Sequence, residues 1–214
     1  MGRRALRKVD STIDLSRHLF AWDALPDPWD AAHLFGRRAP VEIEVGSGKG
    51  LFLRRASAAT PAHDFLGIEL ALRYARFAAA QLAKQDVPNA KVVCGDAQRL
   101  FSERLPSESL AAVHVYFPDP WWKKRHAKRR IMNATFLRDV ERTLAAGGAL
   151  HFWTDVEAYF MAALAPIDAQ TTFSGPHTVV PRPADHDLDY QTHFERRVRL
   201  VDQRVFRAKF YKSL

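Results

Sequence analysis

The sequence predicts an α/β protein with a doubly wound, mostly parallel sheet, and three observations support that fold class. Short apolar or β-branched runs alternate with stretches of helical period between residues 41 and 164. A glycine-rich turn joins the first of these strands to its helix. An acidic residue stands at or near the end of each of five predicted strands: Glu44, Glu69, Asp96, Asp119 and Asp155. Because ligands bind outside the carboxyl ends of strands in open α/β sheets, these five side chains are expected to share one cleft.

One domain is expected, because 214 residues is an ordinary length for a single hydrophobic core. Residues 1–40 are mixed polar and aromatic, and they are predicted to form an N-terminal cover with short helices over 11–20 and 29–35. The core over 41–214 has predicted strands at 41–45, 64–70, 90–94, 110–117 and 149–153. The helices between and after them are predicted at 51–59, 71–84, 97–104, 131–144 and 156–164.

The remaining segments have less regular patterns. Residues 145–148, Ala-Ala-Gly-Gly, are predicted to stop the helix that precedes the fifth strand. The polar stretch 165–191 contains four prolines and is predicted to be irregular, with a strand over 175–180. A basic strand is predicted at 205–211.

The first strand runs into Gly46-Ser-Gly-Lys-Gly50, a turn that indicates a nucleotide-like ligand. Gly46 and Gly48 allow the backbone to approach a ligand, and the free N–H groups of the following helix point to the same place. The dinucleotide fingerprint requires its third glycine at position 51, where this chain has Leu51. The pattern therefore favours S-adenosyl-L-methionine over a dinucleotide, and the alternative is a glycine turn without a ligand.

Two acids further along the chain fit the same cofactor. Glu69 ends the second strand about 20 residues after the turn, where an acid commonly accepts hydrogen bonds from ribose hydroxyls. Its alternative role is to cap the next helix, and the two roles are compatible. Asp96 follows the third strand, where its carboxylate can accept a hydrogen bond from the exocyclic amine of adenine.

The distribution of charge indicates a nucleic-acid partner. The net charge is +8, the isoelectric point is near 9.9, and residues 123–130 hold six cations directly after Trp121 and Trp122. Aromatic rings beside cations suit RNA, which offers both phosphates and flat bases. The cationic run has no apolar face that would suit a membrane surface. The alternative is a solvated charged loop with both tryptophans in the core.

Composition disfavours several other kinds of site. The single cysteine, Cys94, excludes an internal disulfide and a cysteine-cluster metal site, and it is expected to be a small buried side chain. The nine histidines show no metal-ligand spacing, so no metal is expected. No apolar run approaches the ~20 residues that cross a bilayer and no secretory signal is present, so a cytoplasmic protein with no membrane partner is expected.

Six motifs between residues 41 and 196 resemble motifs of the bacterial tRNA (guanine-N7-)-methyltransferase family, and they follow one another in the same order. They are Glu44-Val-Gly-Ser-Gly, Gly67-Ile-Glu69, Gly95-Asp96-Ala97, Phe117-Pro-Asp-Pro-Trp121 with its basic tail, Thr154-Asp155 and Thr192-x-x-Glu195. The Pro-Asp-Pro-Trp block with its basic tail is highly specific, whereas the glycine turn is not. Two positions depart from the family: Trp122 stands where it usually has Pro, and Val198 stands where it usually has Gly.

The resemblance implies a class I S-adenosylmethionine-dependent methyltransferase fold, and methyl transfer to N7 of the guanosine at position 46 in the variable loop of tRNA. It implies that the cofactor is bound by Glu44, Gly46, Gly48, Glu69, Asp96 and Asp119. It implies that the substrate guanosine is held by Lys123, Asp155, Thr192, His193, Phe194 and Glu195. It implies that RNA contacts come from Arg125, His126, Lys128, Arg129 and Arg130. The expected partner is tRNA, and the protein is expected to be a monomer or a homodimer.

The chemistry of such a reaction gives Asp119 a catalytic role. Guanine N7 carries a lone pair and no proton, so methyl transfer needs no base and depends on positioning and electrostatics. The methylated base is cationic, so carboxylates at Asp119 and Asp155 would stabilise it. Both could also accept hydrogen bonds from guanine N1–H and the 2-amino group. Asp119 is therefore predicted to lie where cofactor and base meet.

Three rival functions predict different features. A small-molecule methyltransferase would share the glycine turn, Glu69 and Asp96, but it has no need of the cations at 123–130. An enzyme that uses NAD is disfavoured by Leu51. A non-catalytic RNA-binding module has little reason to collect five acids in one cleft, because carboxylates repel phosphate.

Overall fold

A computed structural model describes residues 6–180 and 190–213. Over these residues the chain forms one eight-stranded sheet with helices on both faces. The strands are β1 (Leu19–Ala21), β2 (Val41–Val45), β3 (Asp64–Glu69), β4 (Ala90–Cys94), β5 (Leu110–Tyr116), β6 (Leu144–Thr154), β7 (Ser174–Thr178) and β8 (Phe206–Tyr211). The α-helices are α1 (Ala31–Phe35), α2 (Leu51–Ala59), α3 (Leu72–Ala83), α4 (Ala97–Glu103), α5 (Ala134–Thr143), α6 (Glu157–Gln170) and α7 (His193–Arg199). Short 3-10 helices span Trp22–Ala24 and Lys124–Arg129.

The strand order is β1-β4-β3-β2-β5-β6-β8-β7. Neighbouring strands from β1 to β6 run parallel, and β8 is antiparallel to both β6 and β7. The order changes direction at β2, because the chain continues to β3 and β4 on one side and later to β5 and β6 on the other. Open α/β sheets bind ligands at such a switch point, outside the carboxyl ends of the strands. The predicted fold class is confirmed.

Alternate residues of the strands build two apolar layers, one on each face of the sheet. Helices α2 and α3 cover one face, where Phe52 and Phe65 are buried. Helices α4, α5 and α6 cover the other face, where the rings of Phe101 and Phe136 pack edge to face with centroids 5.1 Å apart. Strands covered on both faces need nearly continuous apolar runs, and this is why the five central strands could be predicted.

The helix predicted over 11–20 is wrong. Asp10 accepts a hydrogen bond from the backbone N–H of Thr12 at 3.0 Å, and a second turn of this kind follows at Asp14. An aspartate that bonds to the backbone two residues on competes with helix formation. The chain then enters β1, which extends the sheet beside β4. The helix predicted over 29–35 is confirmed as α1.

The predicted helix stop at 145–148 is also wrong. Helix α5 ends at Thr143, and β6 begins at Leu144 and runs through both glycines. Leu144 already has extended backbone angles, and it pairs with Leu110 of β5 across a register shift. Pairing with β5 therefore turns the predicted stop into the first part of a strand.

Helix α6 continues beyond its predicted end at residue 164. The helix continues through Pro166. Ala163 and Ile167, on either side of the proline, are buried in the core, and this packing holds both parts of the helix in place. The strand predicted over 175–180 is confirmed as β7, shifted by one to two residues. The rest of the segment predicted to be irregular includes 181–189, which lies outside the described residues.

Within residues 6–180 and 190–213, no helix is long and apolar enough to cross a membrane. In the same part of the chain, no three His, Cys, Asp or Glu side chains are grouped as ligands for a metal ion.

Candidate active site

The strand order places the five predicted acids along one edge of the sheet. Their strands are adjacent, in the order β4-β3-β2-β5-β6, and they all run parallel. The acids lie at or just beyond the carboxyl ends of these strands, in the order Asp96, Glu69, Glu44, Asp119 and Asp155. This edge is the candidate active site, because it coincides with the switch point of the sheet.

The glycine turn is held from the neighbouring strand. Gly46, Gly48 and Gly50 have φ angles of 76°, 53° and 73°, in the left-handed region that favours glycine. Glu69 Oε2 accepts a hydrogen bond from the Gly48 N–H at 2.9 Å, and its Oε1 accepts one from the Ala71 N–H at 2.9 Å. Ala71 is the N-cap of α3 and no side chain caps that helix, so Glu69 supports the turn rather than capping the helix. Its carboxylate still has lone pairs for a ligand hydroxyl.

Glu44 is a buried carboxylate beside this turn. Its side chain is 3% exposed, and Oε2 has no hydrogen-bond partner among the described residues. Burial, and then the charge of Glu69, raise the pKa of Glu44 well above its usual range. A buried polar atom without a partner costs about 1–3 kcal/mol. Glu44 therefore fits a ligand group that is cationic or that donates hydrogen bonds.

The substitution Glu44→Gln is expected to stabilise the ligand-free protein near neutral pH. Because the folded-state pKa is raised, the contribution of Glu44 to stability is fully present below its unfolded-state pKa. That contribution is lost as the pH rises through the folded-state pKa, whereas Gln cannot ionise. Thermal melts from about pH 4 to pH 8 measure the difference, and about 1 kcal/mol would appear as a shift of about 2–4 °C in Tm. The exposed Glu157→Gln is the control, and equal pH slopes for wild type and Glu44→Gln would contradict the expectation.

The loop after β5 presents Asp119 on a strained backbone. Phe117 and Trp121 have φ angles of 49° and 45°, which non-glycine residues rarely adopt. Pro118 and Pro120 lie between them and fix their own φ angles. Asp119 Oδ1 accepts a hydrogen bond from the Trp121 N–H at 3.2 Å, and the side chain is exposed. Such strain persists only where the surroundings impose it, and it is concentrated at functional sites.

Two contacts with other parts of the chain impose this loop conformation. Arg130 Nε donates a hydrogen bond to the Pro120 carbonyl at 2.8 Å, and its guanidinium lies 5.0 Å from the ring centre of Tyr159. The ring of Phe117 stacks on Phe194 of α7, with centroids 4.8 Å apart. Arg130, which the resemblance places among the RNA contacts, makes its contacts within the protein in this structure.

The cationic run begins after two tryptophans with different surroundings. Trp121 is half-buried, with the Arg129 guanidinium 5.0 Å from its ring centre and the His126 ring 5.7 Å away. Trp122 is 72% exposed, so the alternative that both tryptophans lie in the core is wrong. The cations with exposed side chains include Lys123, Arg125, Lys128 and Arg129.

Helix α7, which was not predicted, lies against the Asp119 loop. Its N-cap is Thr192, whose Oγ1 accepts a hydrogen bond from the Glu195 N–H at 3.0 Å. The Glu195 carboxylate accepts one from the Gln191 N–H at 2.6 Å. A threonine followed three residues later by glutamate is the signature of a capping box, and this signal could have located the helix. His193 is exposed at the start of α7, and Phe194 contacts the loop.

Two residues of the C-terminal tail contact predicted site residues. Glu195 is 2% exposed, and its carboxylate forms an ion pair with Arg207 at 2.9 Å. The Arg207 guanidinium lies 4.9 Å from the ring centre of Trp153 at the end of β6. Asp155 is half-buried, and its Oδ2 accepts a hydrogen bond from Gln203 Nε2 at 3.3 Å. Sequence reasoning missed Arg207 and Gln203, because they lie in the tail that resembles the family poorly.

Asp96 is held at the start of α4. Its Oδ1 accepts a hydrogen bond from the Gln98 N–H at 2.8 Å, which makes it the N-cap of that helix. The other carboxylate oxygen has no hydrogen bond within the described part of the chain, and the side chain is exposed, so it can accept from a ligand amine. Cys94, predicted to be buried, is half-buried at the end of β4, and burial raises the pKa of its thiol.

Comparisons with known proteins match most of the chain. The family model described as "Putative methyltransferase" matches residues 38–208. A tRNA (guanine-N(7)-)-methyltransferase of Rhodopirellula baltica is 46% identical, over 99% of this chain and 80% of that protein. A protein of the same name from Sodalis glossinidius is 37% identical, over 99% of this chain and 94% of that protein.

Solved structures share the fold at much lower identity. The 16S rRNA methyltransferase KamB is 16% identical, with a TM-score of 0.62 over 85% of this chain and 92% of that one. The antibiotic-resistance methyltransferase Kmr is 19% identical, with a TM-score of 0.55 over 83% of this chain and 88% of that one. At these identities the likeness concerns the fold alone.

Proposed function

The chain belongs to the bacterial tRNA (guanine-N7-)-methyltransferase family, and from this we propose that the edge of the sheet described above is its active site. The protein is an enzyme that transfers a methyl group from S-adenosyl-L-methionine to N7 of guanosine in tRNA. The proposed target is the guanosine at position 46 in the variable loop. The enzyme is proposed to act in the cytoplasm, as a monomer or a homodimer. The observation that carries the proposal is the strained Asp119 loop. This loop begins at the edge of the sheet that holds the glycine turn, and it leads directly into the exposed cations.

The residues around the glycine turn fit the cofactor. When bound, S-adenosyl-L-methionine supplies a methyl group on a positively charged sulfur. Glu44 offers a buried acceptor for a cationic group, Glu69 offers lone pairs to ribose hydroxyls, and Asp96 offers an oxygen to the adenine amine. Gly46 and Gly48 leave the backbone open to a ligand, because a side chain there would meet no protein atom closer than 3.9 Å.

The guanine base is proposed to lie against Asp119 and Asp155, which follow the adjacent strands β5 and β6. Both carboxylates can accept hydrogen bonds from the N1–H and 2-amino groups of the base. N7 has a lone pair and no proton, so the enzyme has to position the base rather than deprotonate it. Positive charge develops on the purine during methyl transfer, and a fixed carboxylate at Asp119 stabilises that charge as it forms.

The start of α7 is proposed to form a wall of the same base site. Thr192, His193 and Phe194 lie at this end of the helix, where Phe194 contacts the Asp119 loop. Glu195 contributes by fixing the helix start and by binding Arg207, since its carboxylate is buried. Lys123 is exposed beside the loop and is proposed to contact the substrate nucleotide.

Methylation of unmodified tRNA tests this function. Purified protein is incubated with tRNA transcript and S-adenosyl-L-methionine carrying a labelled methyl group, and the modified base is mapped by cleavage at N7-methylguanosine. Label at the position-46 guanosine is expected, and a transcript with adenosine at that position is the control. Label at another guanosine would refute the position, and label on ribosomal RNA alone would refute the substrate.

Trp122→Ala is expected to weaken tRNA binding about 5- to 150-fold, because stacking of one base on an aromatic side chain contributes about 1–3 kcal/mol. The ring is the exposed aromatic of this loop, and it stands where the family usually has Pro. Trp122→Phe should keep most of the affinity, since it keeps a flat ring. Binding measured by fluorescence anisotropy of labelled tRNA checks this, with Leu200→Ala, at a 61% exposed leucine, as control. Equal affinity for wild type and Trp122→Ala would exclude the stacking contact.

A further inference from the structure

A cavity of about 290 Å³ lies beside the glycine turn, on the face of the sheet that α2 and α3 cover. Arg54 of α2 and Phe77 of α3 form part of its wall, and Arg7 of the N-terminal segment forms another part. Lys49 reaches it from the glycine turn, and His193 reaches it from the start of α7. This space, called here the α2/α3 cavity, therefore borders both the cofactor residues and the base site proposed above.

The lining of the α2/α3 cavity is strongly cationic. Three of its seven lining residues, Arg7, Lys49 and Arg54, are basic, and none of the seven is acidic. Neither Arg7 nor Lys49 forms an ion pair with another described residue. Arg54 is oriented by a neutral partner, because its Nε donates to Gln85 Oε1 at 2.9 Å. Such a lining favours a ligand with negatively charged oxygens.

The end of the cationic run, at Arg130, and the α2/α3 cavity are attached to opposite faces of the sheet. The cationic run is joined to the α4-α5-α6 face, because Arg130 packs on Tyr159 of α6. The cavity is formed by residues of α2 and α3 on the other face. The active-site edge lies between these two faces of the sheet. A strand of RNA that places its guanosine at this edge would therefore meet cations on both sides.

We propose that the α2/α3 cavity binds a backbone phosphate of the tRNA, on the side of the target guanosine away from the cationic run. The proposal rests on the function proposed above and adds a second anchoring point for the RNA. Two anchoring points, one on each side of the edge, would fix the target base more firmly than one. An RNA strand held at a single point can rotate about that point, and a second contact prevents this rotation. An anionic oxygen could also come from the carboxylate of S-adenosyl-L-methionine, since Lys49 belongs to the glycine turn.

The double variant Arg7→Gln/Arg54→Gln tests the proposal through the salt dependence of tRNA binding. The slope of log K against log salt concentration should decrease in magnitude by about 0.7–0.9 when one phosphate is no longer neutralised by the protein. Affinity for S-adenosyl-L-methionine, measured by calorimetry, should not change. The matched control is Arg38→Gln/Arg138→Gln. Arg38 is also an exposed arginine of the first 40 residues, and Arg138 also bonds a glutamine, at 2.7 Å.

Each outcome of this comparison decides the proposal. Weaker cofactor binding with an unchanged salt slope would overturn it and assign the cavity to the cofactor carboxylate. An unchanged slope with unchanged cofactor binding would overturn it as well. If wild-type protein itself failed to bind or methylate tRNA, the proposed function would fall together with the cavity. The single variant Arg7→Gln changes only an exposed side chain, so it gives the same test if the double variant does not fold.

Discussion

The variant Asp119→Asn is expected to methylate tRNA about 10²- to 10³-fold more slowly than wild type, while it still binds S-adenosyl-L-methionine. Asparagine has nearly the same shape and can still accept the hydrogen bond from the Trp121 N–H, so the loop should keep its conformation. What it lacks is the negative charge that stabilises the cationic purine. The loss should therefore appear in the rate of the chemical step and not in folding.

Single-turnover rates at saturating tRNA, with cofactor affinity measured separately, check this expectation. Asp168→Asn is a suitable control, because Asp168 is an exposed aspartate on α6 away from the strand ends. Near-normal turnover by Asp119→Asn with intact cofactor binding would contradict the role given to Asp119. A large loss of cofactor affinity would instead place Asp119 mainly in the cofactor site.

The second large effect is expected from the triple variant Arg125→Gln/Lys128→Gln/Arg129→Gln. These three side chains are exposed, so each is available to a phosphate. Removing three cations that neutralise phosphates should lower the magnitude of the salt slope by about 2–3 and weaken tRNA binding about 10- to 100-fold near physiological salt. Cofactor affinity should be retained. A parallel fall in cofactor and tRNA affinity would show that the cationic run is structural.

Arg130→Gln is the informative comparison for that triple variant. It removes the same charge from the same run, but its guanidinium supports the Pro120 carbonyl and packs on Tyr159. We therefore expect Arg130→Gln to lower kcat, because the Asp119 loop loses a support, and to change the salt slope less than an exposed cation does. Filter binding over a range of salt concentrations, together with single-turnover rates, separates the two effects.

Sequence patterns predicted the parts of the molecule that depend on neighbouring residues. A strand buried on both faces requires a continuous apolar run, and 110–117 was identified as a strand for that reason. The glycine turn was equally visible, because left-handed backbone angles at Gly46, Gly48 and Gly50 require a residue without a side chain. The error at 11–20 arose because Asp10 and Asp14 form turns with the backbone two residues on, and the error at 145–148 arose because these residues lie in a strand that pairs with β5.

The sequence by itself determined the parallel centre of the sheet and the edge at which its acids meet. It could do so because strand, turn and helix signals act over a few residues, and parallel strands necessarily end at one edge. Only the tertiary structure decided which of the charged residues face outward. Arg129 and Arg130 are neighbouring arginines of one cationic run, yet only the structure shows that Arg130 packs on Tyr159. In the same way, the structure shows that Glu195 is buried in an ion pair with Arg207. Burial is set by partners far along the chain, and a local pattern contains no information about those partners.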